Sequence, residues 1–227
     1  QDSMAASSAW YNTKFMSQLR GPMRLFLVRH GQSEANICPA TISGRSSHVN
    51  LTDLGEKQAH ALGEYFKSED VAFDLSYSST AVRTQQTAIK ALGHENFTVS
   101  EELLEIDMGE WVGNDRFEKY TPEVYSLINA DPWNFKPDGG ESQKDVEERI
   151  CRYFQDVIIR EVEEMREREN KENVSVCIFG HCLATACFLR GILCSDPAMT
   201  WKIKNDNTAI TELKYTPKDG WFLVRIN

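Results

Sequence analysis

Two histidines and two arginines in this chain are spaced as if to hold a small dianion. Arg29-His30-Gly31 ends one short apolar run, Phe179-Gly180-His181 ends another, and Arg83 lies a few residues past a third. Arginine offers paired donors matched to phosphate, and a nearby helix N-terminus adds backbone N–H groups. Binding is not turnover, which needs a nucleophile and a proton source. A neutral imidazole can attack phosphorus and carry the phosphoryl group as phosphohistidine. The departing alkoxide then needs an acid, and a carboxyl group beside the site is the usual answer. Glu105 is one candidate; position alone does not separate it from Glu102, Asp107 or Glu110.

The elements that must position these groups read as alternating strands and helices. Residues 23–28 form a continuous apolar run, the mark of a strand buried on both faces. Thr52 or Asp53 can cap a helix carrying Leu54, Ala59, Leu62 and Phe66 on one face. A second strand is expected at 73–77. Ser78, Ser79 and Thr80 then offer hydroxyl caps for a helix through Arg83, Ala88 and Leu92 to a stop at Gly93. A short third strand is expected at 97–99, and 108–140 is irregular. There Trp111, Tyr120, Tyr125, Trp133 and Phe135 either line a lid or simply pack their own segment. Ser142 to Asp145 resembles a capping box opening a long helix, with Val146, Ile150, Tyr153, Phe154, Val157 and Met165 at helical spacing. Its charged tail, through Glu169, reads as a solvated face. A fourth strand at 174–179 feeds a helix at 183–193, and a hairpin at 209–215 and 221–226 closes the chain.

This alternation specifies an α/β fold, a three-layer sandwich whose mostly parallel central sheet is covered by helices on both faces. In such sheets ligands bind outside the carboxyl ends of the strands. Arg29, His30, Arg83 and His181 would therefore converge at one sheet edge.

The chain has 227 residues with Lys+Arg 25 against Asp+Glu 34, a formal net charge of −9. An acidic surface repels phosphate backbones, so no nucleic-acid partner is expected. None of the six cysteines forms a C-x-x-C pair. Four of them, Cys177, Cys182, Cys187 and Cys194, fall in the apolar run 174–194, where cysteine serves as a small buried hydrophobe. Reduced thiols and a cytoplasmic location are expected. Gly180, His181 and Arg190 interrupt that run, so it is read as strand and helix rather than as a membrane span. Gln1-Asp2-Ser3 ahead of Met4 reads as a cloning remnant within an N-terminal extension, 1–22, in preference to an organelle transit peptide. One domain is expected at 23–227. His48, His60 and His94 lack catalytic context, and the spacing of Cys177, Cys182 and Cys187 suits core packing rather than a metal.

The segment Leu27-Val28-Arg29-His30-Gly31-Gln32-Ser33-Glu34-Ala35-Asn36 resembles the signature of the histidine phosphatase superfamily, in its phosphoglycerate-mutase-like branch. Tyr77 to Thr84 with Thr87-Ala88 is similar to that family's second arginine motif. Leu104-Glu105-Ile106 with Gly109 to Gly113 resembles its acid motif. Gly139-Gly140-Glu141-Ser142 and Phe179-Gly180-His181 match further blocks in the same order. A lone Arg-His-Gly is weak; ordered blocks from residue 23 to the C-terminus are specific.

The resemblance implies roles. His30 would be the nucleophile, with Arg29, Arg83 and His181 binding the phosphoryl oxygens. Asn36 would donate to the same oxygens, and Glu105 would protonate the leaving group and then activate water. Ser43-Gly44 looks like the substrate-loop turn. No metal and no cofactor are implied, and the partner would be a small phosphorylated metabolite. Two positions depart from the family pattern. Cys182 stands where many relatives have glycine, which could narrow the site or make it sensitive to oxidation, and Thr80 stands where proline is common. Mutases of the family carry an adjacent arginine pair, whereas Arg116, Lys119 and Lys136 here form none, and the block Asp206 to Leu213 looks more like the phosphatases. The reading is therefore a metal-independent phosphomonoesterase. The alternatives are a cofactor-dependent phosphoglycerate mutase and a non-catalytic phospho-ligand binder on the same fold.

Overall fold

The structure, a computed structural model, describes residues 19–227. Strands β1 (Met23–Arg29), β2 (Leu75–Ser79), β3 (Thr98–Ser100), β4 (Val174–Gly180), β5 (Ile210–Thr216) and β6 (Gly220–Arg225) form one sheet in the order β3-β2-β4-β1-β5-β6. The pairs β2–β3, β2–β4 and β1–β4 are parallel, while β5 and β6 add an antiparallel edge beside β1. The expected α/β sandwich with a mostly parallel sheet is what forms.

Period-two alternation sends β1 side chains to two cores. Phe26 and Val28, with Cys177 and Phe179 of β4, pack against helices α1 (Asp53–Ser68) and α2 (Val82–Leu92). Leu25 and Leu27, with Val176 and Ile178, pack on the opposite face against α5 (Gln143–Tyr153), α6 (Arg160–Glu169) and α7 (Cys182–Leu193). Two short helices, α3 (Arg116–Lys119) and α4 (Pro122–Ala130), sit in the segment expected to be irregular.

The differences from expectation have local causes. Thr52 caps α1, but Leu54 is exposed, and the buried face runs through Gly55, Ala59, Leu62, Gly63 and Phe66. The face is turned toward Gly55 because the α1 N-terminus lies against the Gly31-Gln32 backbone. A Cβ on Gly55 would stand 1.9 Å from the Gln32 carbonyl oxygen. Strand β2 starts two residues later than expected: Asp74 N still donates to Ser175 O (2.8 Å), but Ser175 N donates to the Asp74 carboxylate in place of a strand carbonyl. The hydroxyls of Ser78 and Ser79 do not cap α2, whose N-cap is Ala81. Both serines end β2 and are buried.

The capping box at Ser142 and Asp145 forms as expected. The long helix that follows is interrupted by a π turn, Phe154–Ile159, between α5 and α6. Its buried residues recur in pairs every fourth position, at Val146/Glu147, Ile150/Cys151, Phe154/Gln155, Ile158/Ile159 and Val162/Glu163. An α-helix of 3.6 residues per turn drifts off such a stripe, and one wider turn restores it. The charged tail is not wholly solvated. Glu163 is buried and holds both Arg166 and Arg20, and Leu19 reaches the core. Residues 1–18, most of the expected N-terminal extension, lie outside the described residues.

All six cysteines are free thiols, and no helix among the described residues is long and apolar enough to cross a membrane. Substituting Gly55→Ala is expected to destabilise the fold by about 2–3 kcal/mol, as overpacking against fixed backbone does. A denaturation midpoint unchanged from wild type would contradict that close contact.

Candidate active site

Sheet register brings the two histidines together. Arg29 of β1 pairs with Gly180 of β4, so His30 and His181 are the next residues on adjacent parallel strands. His30 N donates to Gly180 O (3.1 Å), and the two rings meet edge-on with centroids 5.3 Å apart. Both imidazoles are buried. Burial, reinforced by the Arg83 charge, pushes each well below the ordinary imidazole pKa, so both are neutral near pH 7.

Neutrality makes the tautomer decisive, and hydrogen bonding assigns it. His30 Nδ1 lies 2.7 Å from its neighbour's Gly31 carbonyl, an acceptor only, so Nδ1 carries the proton. His30 Nε2 is left with a lone pair and accepts from Arg83 Nε at 3.2 Å. His181 is the reverse: its Nδ1 accepts from Arg83 Nη2 at 3.2 Å, so Nε2–H donates to Ser79 Oγ at 2.8 Å. Ser79 Oγ donates on to Thr84 Oγ1 (2.8 Å), and Thr84 donates to Ala81 O (2.7 Å). This use of Ser79 explains why it is not a helix cap.

Arg83 is the hub. At the start of α2, its guanidinium also donates to Ser46 O (2.8 Å) and Arg45 O (3.0 Å), tying the 43–46 loop to both histidines. Gly44 sits in that loop at φ +50, with Val112 and Met108 within about van der Waals contact of where a Cβ would lie. Arg29 donates from Nη1 to Asn205 O (2.6 Å) and keeps a buried, unpartnered Nε.

Asn36 is oriented through its oxygen. Oδ1 accepts from Ser33 N (3.0 Å), Ser33 Oγ (3.2 Å) and Asn207 Nδ2 (3.2 Å), which leaves the amide nitrogen as a donor. Asn207 Nδ2 also donates to His30 O (3.0 Å).

Glu105 spans the first turn of α7. Oε1 accepts from Ile106 N (3.0 Å) and Ala184 N (2.9 Å), and Oε2 accepts from Leu183 N (3.1 Å). Its backbone carbonyl is gripped by Arg149 Nη2 (3.1 Å) and Arg45 Nε (3.3 Å), and Glu141 joins both arginines at 2.8 and 2.9 Å. Burial raises the Glu141 carboxyl, but the Arg149 bonds and charge outweigh it and hold the group below its usual range.

A cavity of about 600 Å³ opens over these groups, lined by Arg29, His30, Asn36, Ser43, Gly44, Arg83 and Glu105 among others. Of the residues expected in the site, His181 alone does not line it; it is fully buried behind Arg83. Of the four candidate acids, Glu105 lines the cavity, and Glu102, Asp107 and Glu110 do not. The aromatics divide. Tyr120, Tyr125 and Phe135 line the cavity, Trp111 stacks behind Tyr120 and Phe135, and Trp133 is buried against Arg190. His48, His60 and His94 are exposed. Cys182 lines the cavity, and burial pushes its thiol pKa up, which lowers its thiolate fraction and opposes easy oxidation. Among the described residues, no group of three or more His, Cys, Asp or Glu side chains is arranged to hold a metal ion.

Ser79, Thr84, Arg45, Arg149, Glu141 and Asn207 were not singled out as site residues from sequence. Ser79, Thr84, Glu141 and Asn207 fall inside recognised blocks, which is the one signal that could have found them; Arg45 and Arg149 fall outside every block.

The chain resembles known proteins over most of its length. The chain is 31% identical over 196 residues to the Hydrogenobacter thermophilus protein named "Putative phosphoserine phosphatase 2", covering 84% of this chain and 88% of that one. It is 33% identical over 149 residues to a 2,3-bisphosphoglycerate-dependent phosphoglycerate mutase of Parvibaculum lavamentivorans, covering 62% and 70%. Among solved structures, a mycobacterial glucosyl-3-phosphoglycerate phosphatase complexed with VO3 superposes with a TM-score of 0.72 at 25% identity, covering 88% and 96%. The family model described as the histidine phosphatase superfamily (branch 1) matches residues 25–227, and the chain belongs to that superfamily.

Proposed function

We propose that this histidine phosphatase family enzyme hydrolyses phosphate monoesters through a phosphohistidine formed on His30 Nε2, without a metal ion. The observation that carries the reading is the His30 tautomer, with Nδ1–H bound to Gly31 O and the Nε2 lone pair against Arg83. A phosphoryl group entering the cavity supplies better acceptors than an imidazole for the Arg83 N–H groups. Arg83 then turns its donors to the phosphoryl oxygens and releases Nε2 for attack. The Nε2–P bond forms as the ester P–O bond breaks, and Glu105 gives its proton to the leaving oxygen. The positive phosphoimidazole keeps its Nδ1–H on Gly31 O. Glu105, now a carboxylate, takes a proton from water, whose oxygen attacks phosphorus and returns the lone pair to Nε2. Arg29, Arg83 and the Asn36 amide stabilise the charge on the phosphoryl oxygens. In this tautomer His181 accepts from Arg83 and positions it, rather than donating to the phosphoryl oxygens itself.

The mutase relative favours a second reading, in which phosphohistidine returns its group to a bound acid. Besides Arg29 and Arg83, the cavity wall carries Arg116 alone rather than an adjacent arginine pair. Incubation with 3-phosphoglycerate separates the two: free phosphate is expected, and 2-phosphoglycerate without phosphate would establish the mutase.

Phosphate release should persist in excess chelator and fall by a factor of about 10³ or more in His30→Ala, with unchanged circular dichroism. Retained turnover in that variant would remove His30 as nucleophile. Glu105→Gln should lose more rate on an alkyl phosphate than on an aryl phosphate with a good leaving group; equal losses would point to another acid.

The depressed imidazoles also set a pH dependence of stability. Below about pH 6.5 the unfolded chain protonates histidines that the folded chain keeps neutral. The stability is thus whole above that range and is lost as pH falls through it. Melting temperature should drop between pH 7.5 and 5.5, and less steeply in His181→Gln; parallel slopes would contradict the buried neutral imidazole.

A further inference from the structure

The cavity lining has two unlike sets of groups, and the second is not built for a small anionic metabolite. Helix α4 supplies part of that second, apolar set. Helix α4 buries no residue of its own, yet Tyr125 and Ile128 line the cavity, joined by Phe135, Ile106, Leu183 and Trp201. Tyr125 and Trp201 remain 52% and 58% exposed. Apolar surface exposed on a cavity wall is surface a ligand can cover. Arg116 and Asn129 add polar groups to this wall; Arg116 Nε donates to Pro39 O at 3.1 Å, and its guanidinium lies over the Tyr120 ring.

Gln143 adds one polar requirement. It lines the same cavity at the first position of α5, it is 2% exposed, and neither its Oε1 nor its Nε2 has a hydrogen-bond partner. A buried amide left unmade costs free energy that a partner recovers.

Resting on the phosphatase reading, we propose that the substrate is the phosphate monoester of a bulky, largely apolar alcohol. That alcohol carries a neutral hydrogen-bonding group, which Gln143 selects. Gln143 is a specificity residue and takes no part in the transfer of the phosphoryl group.

The test compares esters whose leaving alcohols have nearly equal pKa values, so that rate differences report the pocket. These are 2-phenylethyl phosphate and 2-(4-hydroxyphenyl)ethyl phosphate, with phosphoserine and 3-phosphoglycerate as small charged controls. Burial of the aromatic body should raise kcat/KM at least about tenfold over either control. The added hydroxyl should give a further rise of about threefold or more, and Gln143→Leu should bring the ratio of kcat/KM for the two esters to about one. Because Gln143 makes no internal hydrogen bond, Gln143→Leu should melt no lower than wild type. Faster turnover of phosphoserine or 3-phosphoglycerate would overturn the proposal and leave the phosphatase reading standing. A hydroxyl preference that survives in Gln143→Leu, or a lowered melting temperature, would overturn the role of Gln143. No phosphate from any ester would instead remove the phosphatase reading itself.

Discussion

The hydrogen bond from His30 Nδ1 to the Gly31 carbonyl sets which imidazole nitrogen can act, and much of the surrounding structure keeps that bond in place. Gly31 N donates to Thr87 Oγ1 at 3.0 Å, and Thr87 donates in turn to Arg83 O at 2.7 Å. The His30 carbonyl is held from the other side by Asn207 Nδ2 and Thr208 N. Gly31 and Gly55 admit close backbone contact between this turn and α1, where a Cβ on Gly31 would stand 2.5 Å from Gly55 O. His30 is thus oriented through a backbone carbonyl whose turn is held by α1, α2 and residues 207–208, rather than by a carboxylate partner. A rigid frame of this kind lowers the entropy that the reaction must still lose.

Arg83 couples this frame to the substrate. A buried guanidinium is costly unless every donor has an acceptor, and here the acceptors are two loop carbonyls and the two imidazoles. Those imidazoles must be neutral to accept, which is the state that burial and the Arg83 charge both impose. In the proposed reaction an incoming phosphoryl group competes with these acceptors for the Arg83 donors. Arg149 and Arg45 hold the Glu105 carbonyl, and the Arg45 carbonyl accepts from Arg83, so one network links Glu105 to His30.

Sequence made the sheet and its edge legible because period-two burial and strand-terminal Arg-His and Gly-His are local signals. Hidden from it was what depends on partners distant in the chain. Ser79 looked like a helix cap, since nothing local shows that His181 would claim its hydroxyl. Leu54 looked like a core residue, because the close contact of Gly55 with Gln32 is tertiary. The π turn and the burial of Glu163 follow from a four-residue stripe and from ion pairs to Arg20 and Arg166, which spacing alone does not reveal. Position alone does not separate Glu105 from its acidic neighbours; the motif resemblance does, and in the fold the amide groups of α7 hold its carboxyl group.

The central claim concerns a single proton, and long-range ¹⁵N–¹H correlation spectra of the imidazoles read it directly. In the ligand-free enzyme at pH 6, His30 should show one neutral tautomer, protonated at Nδ1 and bare at Nε2. On reaction with a phosphate ester, phosphorus coupling should then appear at Nε2. An imidazolium at that pH, or a proton resting on Nε2, would contradict the account.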